Sequence, residues 1–332
     1  MTTARADGRE LFCAGCATLL LTMAAGQTWA DEPSTAVAEV MVEMESDPRG
    51  VPDMDAPAVE ATSPDAAPSE AAEPDRDIHL SFGVDYTNAY YFRGIVQEDH
   101  AFILQPYATL TLDLWEHEDF TLTGSVGTWN SFHDSPTNAG NTGEFTENWY
   151  EADFIAAFGL AIDKFSFAAQ YIWYTSPSDS FETVTEFDFI ASYDDSELLG
   201  AWKLSPSVLL AVETGDDFAD GADAEQGVYL QASISPGFSV KLCEQADLSI
   251  NFPISAGFSL SDYYEDADGD DDAFGFFSVG VKASVPLPIP ESYGSWTFSA
   301  SATALILGDH TAEYNDDRDT EFVATVGISG SF

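Results

Sequence analysis

The sequence predicts an all-β fold, a transmembrane antiparallel up-and-down β-barrel of about twelve strands, and three observations predict it. Residues 248–260 alternate strictly. Leu248, Ile250, Phe252, Ile254, Ala256, Phe258 and Leu260 are apolar, with Ser249, Asn251, Pro253, Ser255, Gly257 and Ser259 between them. Successive side chains of a strand point to opposite faces, so this strand has one greasy face and one of small, mostly polar groups. The pattern recurs along the chain, as lipid outside a barrel and water inside it require. The connections also alternate. Segments 115–118, 163–164, 194–200, 243–246 and 286–294 are short, whereas 132–147, 214–226, 261–273 and 308–319 are mostly longer and acidic. A secreted β-sandwich, the main alternative for many short strands, has no reason to alternate loop length in this way. Finally, the last strand runs to the terminal Phe332.

Taken in order, residues 1–30 read as a signal peptide. Arg5 and Arg9 flank an apolar run over 11–25, and Thr28-Trp29-Ala30 offers a cleavage site. The run falls short of the ~20 apolar residues of a transmembrane helix, and no later segment reaches that length. Residues 31–77 are rich in Ala, Pro, Glu, Asp and Ser and contain no aromatic residue. They predict a disordered acidic linker in the periplasm, because they cannot bury enough apolar surface to offset their ordering entropy. The barrel occupies 78–332. Alternation places its strands near 78–93, 101–114, 119–131, 148–162, 164–175, 182–193, 201–213, 227–241, 247–260, 274–285, 295–307 and 320–332. Trp296, Phe298, Ala300, Ala302, Ala304 and Ile306 share a lipid face opposite Thr297, Ser299, Ser301 and Thr303. Tyr150, Trp173, Tyr193 and Trp202 stand near strand ends, where interfacial aromatic girdles form.

With 10 basic and 58 acidic residues, the formal charge is −48. Nucleic acid is excluded as a partner, because a phosphate-binding surface needs clustered Lys and Arg. The expected partners are outer-membrane lipid, the barrel insertion machinery and small solutes or ions, with the bacterial outer membrane as the location.

Two stretches carry a resemblance. Asn88-Ala89-Tyr90-Tyr91-Phe92-Arg93-Gly94-Ile95-Val96-Gln97 is similar to an opening strand of the form S-x-Y-x-F-R-G-x-S-Q, and Gly127-Thr128-Trp129-Asn130-Ser131 to a G-x-W-x-S strand. Both resemble the Gcw_chp, or TorF-type, family of outer-membrane porins. The match covers roughly the first three strands, with Val96 where the family often has Ser. The resemblance implies a barrel and a transport role. The C-terminus likewise resembles the signal read by the insertion machinery: Thr325, Gly327 and Phe332 match it, and Gly330 stands where an aromatic is usual.

Alternation assigns a lumen-facing, pore-lining set: Asp85, Arg93, Asp113, Glu151, Asp153, Glu186, Asp188, Lys203, Lys282 and Glu321. A Lys or Arg on the lipid face costs ~2–4 kcal/mol at the midplane, so charges near mid-strand belong inside. Glu151, Asp153, Glu186 and Asp188 lie on the fourth and sixth strands and form one acidic wall. Such a wall favours cations in an open pore, or belongs to a closed barrel in which Arg93 neutralises part of it. Asp266, Asp268, Asp270 and Asp272 offer hard oxygen ligands for Ca²⁺ in an external loop, although the spacing is not that of an EF-hand and a solvated acidic loop is the default. His133-Asp134-Ser135 has His-x-Ser spacing, but Pro136 follows at once and the context is a loop, so no enzyme is expected. The sequence thus leads to a porin passing small hydrophilic solutes or ions with a mild cation preference. The alternative is a closed barrel whose acidic loops serve adhesion or divalent-cation binding.

Overall fold

The computed structural model describes residues 78–134, 145–219, 225–243, 246–266 and 269–332; the expected signal peptide and linker lie outside them. No helix among the described residues is long and apolar enough to cross a membrane. Strands account for nearly all of the structure. In chain order they are β1 (Ile78–Thr87), β2 (Tyr90–Phe92), β3 (Ile95–Glu98), β4 (Ile103–His117), β5 (Phe120–His133), β6 (Trp149–Ile162), β7 (Phe165–Thr175) and β8 (Val184–Tyr193). They continue with β9 (Ser207–Glu213), β10 (Val228–Ile234), β11 (Gly237–Lys241), β12 (Asp247–Asn251), β13 (Ile254–Ser261), β14 (Phe274–Pro286), β15 (Ser295–Leu307) and β16 (Thr320–Ser331).

Two of the barrel strands are split by proline. Pro236 separates β10 from β11 and Pro253 separates β12 from β13, because proline cannot donate to a ladder. Their carbonyls still pair: Phe252 N–H donates to Pro236 O (3.2 Å) and Gly280 N–H to Pro253 O (2.9 Å). Counting each split pair once, and setting β2 and β3 aside, twelve strands run antiparallel, each paired with its sequence neighbours. The circle closes between the first and the last. β1 pairs with β16 from Ser81↔Ser331 to Thr87↔Thr325, and Leu80 and Phe332 exchange both backbone hydrogen bonds (3.1 and 2.9 Å). Closure removes the sheet edges that would otherwise leave unpaired backbone groups in hydrocarbon.

Faces follow the predicted phase. Leu110, Val126, Phe158, Phe187, Ile306 and Phe322 are exposed on the outside as an apolar belt. Ser255, Ser278, Thr303 and Gln231 face inward and are buried. Short turns and the C-terminus share one end of the barrel, and the longer connections share the other.

Three expectations need correction. The first strand stops at Thr87 rather than continuing to residue 93, and the following residues form the separate hairpin β2–β3. The seventh strand begins at Ser207, not 201; a longer turn precedes it, in which the Asp195 carboxylate accepts the N–H groups of Leu204 (2.9 Å) and Ser205 (3.0 Å). Lys203 therefore sits in that turn rather than on a strand of the wall. Tyr150, expected in a girdle, falls at a register shift opposite Ser131 and Phe132 and is buried, stacked on His133 at 4.6 Å.

Candidate functional site

The site is the loop-end half of the lumen, and the hairpin β2–β3 fills it. Tyr90, Tyr91, Phe92 and Ile95 make the tip half of this short ribbon apolar and are all buried, while Gln97 and Glu98 bring polar groups only at its open end. The turn is the two-residue kind, with positive φ at both Arg93 (48°) and Gly94 (90°), the geometry that suits a tight hairpin. The chain has room to turn back into the barrel because the wall opposite is built to receive it.

Arg93 at the tip is fully buried. Its Nη2 donates to Glu186 Oε1 (2.6 Å) and its Nη1 to Glu186 Oε2 (3.0 Å), a bidentate pair with β8. Nη1 also donates to the Tyr263 hydroxyl at 2.8 Å. The guanidinium carbon lies 4.3 Å from the Tyr229 ring centre, 4.9 Å from Phe92 and 5.2 Å from Tyr263. Tyr174 Oη donates to Glu186 Oε1 (2.6 Å), completing that carboxylate's shell. An ion pair at this depth is tolerable only when such bonds satisfy both partners.

The rest of the hairpin is fastened on all sides. Tyr90 Oη donates to Glu151 on β6 (2.9 Å), and Tyr150 Oη to Gln97 (2.5 Å). Tyr264 Oη donates to the Arg93 carbonyl (2.9 Å). Asn315, just after the short helix Asp309–Tyr314, accepts from Val96 N–H (2.9 Å) and donates to Gly94 O (2.8 Å). Arg318 donates to Asp99 (2.8 Å). Burial, ahead of the nearby acids, pushes the hydroxyls of Tyr90 and Tyr263 well above their ordinary pKa, so both remain neutral hydrogen-bonding groups.

The predicted lumen residues divide by depth. Glu151, Asp153, Glu186 and Asp188 do converge on Arg93's half of the barrel, all buried, with Gln170 donating to Asp188 (2.8 Å). Glu321 lies at the loop end beside Arg318 (2.9 Å). Asp85, Asp113 and Lys282 face the turn-end half, where Asp113 meets His79 (2.7 Å). There the inward residues, among them Ser81, Thr111, Ser166, Ser299 and Ser301, are small and only partly buried or exposed. A hydroxyl-lined vestibule thus opens at one end and stops at the hairpin.

Arg93 was expected on a strand wall and instead caps a hairpin inside the wall. Sequence reasoning missed Tyr174, Glu213, Tyr229, Tyr263, Tyr264 and Asn315. Tyr263-Tyr264 carried a signal, an aromatic pair opening an otherwise acidic loop. Asn315 carried none, since its role exists only against the hairpin backbone.

Of the expected Ca²⁺ ligands, Asp268 lies outside the described residues. Asp266 Oδ1 accepts the Asp270 N–H (2.9 Å), and Asp272 lies 3.5 Å from the Phe274 N–H, so these carboxylates serve the loop's own turns. Among the described residues, carboxylate and imidazole atoms converge in a group of three only at Glu98, Asp99 and His100. His133 is buried in the lumen with its Nε2 3.0 Å from Ser131 Oγ, and Ser135 lies outside the described residues.

No protein-family model and no curated protein matches the chain. Among solved structures, it is similar to an outer membrane channel from Pseudomonas putida F1: 10% identity, TM-score 0.40, covering 81% of this chain and 100% of that one. It is also similar to the NanC porin (10%, TM-score 0.39, 76% and 98%) and to the beta domain of the Bordetella autotransporter BrkA (11%, TM-score 0.40, 77% and 99%). The barrel assignment rests on the strand pairing itself.

Proposed function

We propose that this protein is a porin-like channel of the bacterial outer membrane for small hydrophilic solutes or ions, closed at its loop end by the hairpin β2–β3. The observation that carries the reading is the combination of a closed barrel with an apolar exterior and a hydroxyl-lined vestibule that ends at an inserted chain segment packed against the wall and its loops. A wall packed solid by its own side chains would leave no such passage. The carboxylates of Glu151, Asp153, Glu186 and Asp188 favour cations once the hairpin moves aside.

Planar-bilayer recording tests it. The intact protein should give rare or small current steps. A variant with residues 89–101 replaced by a Gly/Ser linker should give large, sustained steps with a cation-sided reversal potential under a salt gradient. A folded variant that stays silent refutes the channel.

A second reading has one observation in its favour, the complete filling of the loop-end lumen. In it the barrel stays shut, and acidic segments such as 262–273 serve adhesion or bind divalent cations. Replacing Asp266, Asp270 and Asp272 by Asn, with Tyr263 and Tyr264 kept, should then abolish cation binding while leaving bilayer behaviour unchanged.

A further inference from the structure

We propose that the barrel wall carries a recognition site for small guanidinium-bearing solutes, built from Glu186, Tyr229 and Tyr263 and occupied at rest by the chain's own Arg93. The carboxylate and the hydroxyl that accept from that guanidinium, on Glu186 and Tyr263, belong to the barrel and its loops rather than to the hairpin. Glu186 comes from β8, Tyr229 from β10, and Tyr263 from the loop after β13. When the hairpin leaves, Phe92 leaves with it, and the rest of the receptor remains.

The chemistry selects a guanidinium over other cations. Two parallel N–H···O bonds reach one carboxylate at 2.6 and 3.0 Å, a fork that an ammonium cannot reproduce. A third donor meets the Tyr263 hydroxyl at 2.8 Å, and the flat face of the ion lies 4.3 Å from the centre of the Tyr229 ring. Tyr174 holds Glu186 from behind at 2.6 Å, so the carboxylate is oriented before any ligand arrives. Asp188 and Glu213 are buried on the neighbouring wall, and no second Arg or Lys is buried among the described residues. Their surplus of carboxylate opposes an empty site and favours any cation that fits.

A solute with the same head group therefore competes with Arg93 for one seat, and its binding releases the tip of the hairpin. That consequence for permeation rests on the channel reading, whereas the binding itself does not.

The experiment uses the full chain with Arg93→Gly, refolded in lipid, and reads the midpoint of thermal unfolding. Methylguanidinium at millimolar concentration should raise the midpoint and restore protection of the hairpin from protease. Urea, which has the shape without the charge, should not, and neither should methylammonium, which has the charge without the fork. Adding Glu186→Gln should weaken the response by about tenfold or more, as expected for loss of a buried charged partner. If Arg93→Gly refolds only poorly, refolding yield becomes the readout: rescue by methylguanidinium and not by urea supports the site, and equal yields overturn it. A response shared with methylammonium, or one that survives Glu186→Gln, also overturns it. Bilayer currents on the same samples separate the two ideas. Thermal rescue by methylguanidinium in a variant whose membranes are silent before it is added refutes the channel and leaves the site, while steady conductance indifferent to methylguanidinium refutes the site and leaves the channel.

Discussion

Arg93 combines features that single residues rarely combine: a left-handed backbone, complete burial and a charge. Each is unfavourable alone, and the surroundings offset each, through the turn partner Gly94, the Glu186 fork and the tyrosine rings. The same crowding makes one small residue essential. A Cβ on Gly275 would lie 2.0–2.3 Å from the Tyr264 ring, which is itself fully buried in edge contact with Tyr229 and Tyr263 and has nowhere to retreat. Gly275→Ala should therefore lower stability by about 1–3 kcal/mol, the usual range for overpacking, seen as an earlier unfolding midpoint. It should also free the Arg93 carbonyl from Tyr264. His310 supplies a pH dependence. Its Nδ1 lies 2.9 Å from the Tyr264 carbonyl, and that acceptor, followed by the charges of Asp266, Asp272 and Glu313, raises its pKa above the ordinary 6.5. A raised folded value means that the protonated ring stabilises the loop fully below pH 6.5 and that this contribution fades as pH rises through the folded value. Amide exchange over residues 262–266 should accelerate across that window beyond its intrinsic base catalysis, and His310→Gln should abolish the extra step.

At the scale of the element, the hairpin is the anomaly. β2 and β3 have 3 and 4 residues, too few to hold a ribbon in isolation. Their order comes from outside, chiefly from Asn315, whose amide satisfies one donor and one acceptor of the hairpin backbone. Asn315→Ala should leave Val96 N–H and Gly94 O unpaired in a buried site, at about 1–3 kcal/mol for each group left unsatisfied. Hydrogen exchange over residues 91–98 should rise steeply while β14 and β15 keep their protection, because the loss is local rather than global. Uniform acceleration across the barrel would contradict an independently moving hairpin. The split strands tell a related story. Pro236 and Pro253 interrupt the ladders, yet their carbonyls are still paired, so the barrel tolerates the breaks.

For the whole molecule, the asymmetry between the two ends is the organising fact. The wall is continuous, and the contents differ, with packed aromatic and charged groups at the loop end and small hydroxyl side chains at the turn end. A cysteine at Ser301, partly exposed on the vestibule wall, should react quickly with a water-soluble thiol reagent. One at Ser278, buried beneath the hairpin, should react slowly until the hairpin is removed. Equal rates would argue against a closed half. The seam of the barrel also explains Gly330. Phe82 packs edge-on against Trp296 (5.4 Å) and stacks on Phe332 (5.9 Å), and a Cβ at residue 330 would come within 3.0 Å of Phe82 and 3.3 Å of Trp296. Any side chain there would require these rings to shift.

What could be read from the sequence and what could not divide along the range of the interactions. Strand phase is local: a period of two along Trp296–Ile306 or Phe322–Ile328 assigns lipid and lumen faces without reference to any neighbour, and the structure keeps both faces as read. Strand number and the alternation of connections followed from the same local pattern. The inward phase of Glu151, Asp153, Glu186 and Asp188 was legible for that reason, as was the presence of Arg93 near them. The course of residues 88–102 was not. Tyr90-Tyr91-Phe92 continues the apolar character of β1, so on local grounds the strand should run on. It turns inward because Glu186, Tyr229, Tyr263, Tyr264 and Asn315, scattered from β8 to the last loop, together form a seat for Arg93 and Gly94. By itself the sequence determined the barrel and the sidedness of its strands, because backbone pleating imposes them residue by residue. Only the tertiary structure decided that the barrel is filled at one end, because that depends on partners 93 to 221 residues apart, from Arg93–Glu186 to Gly94–Asn315, meeting across the lumen.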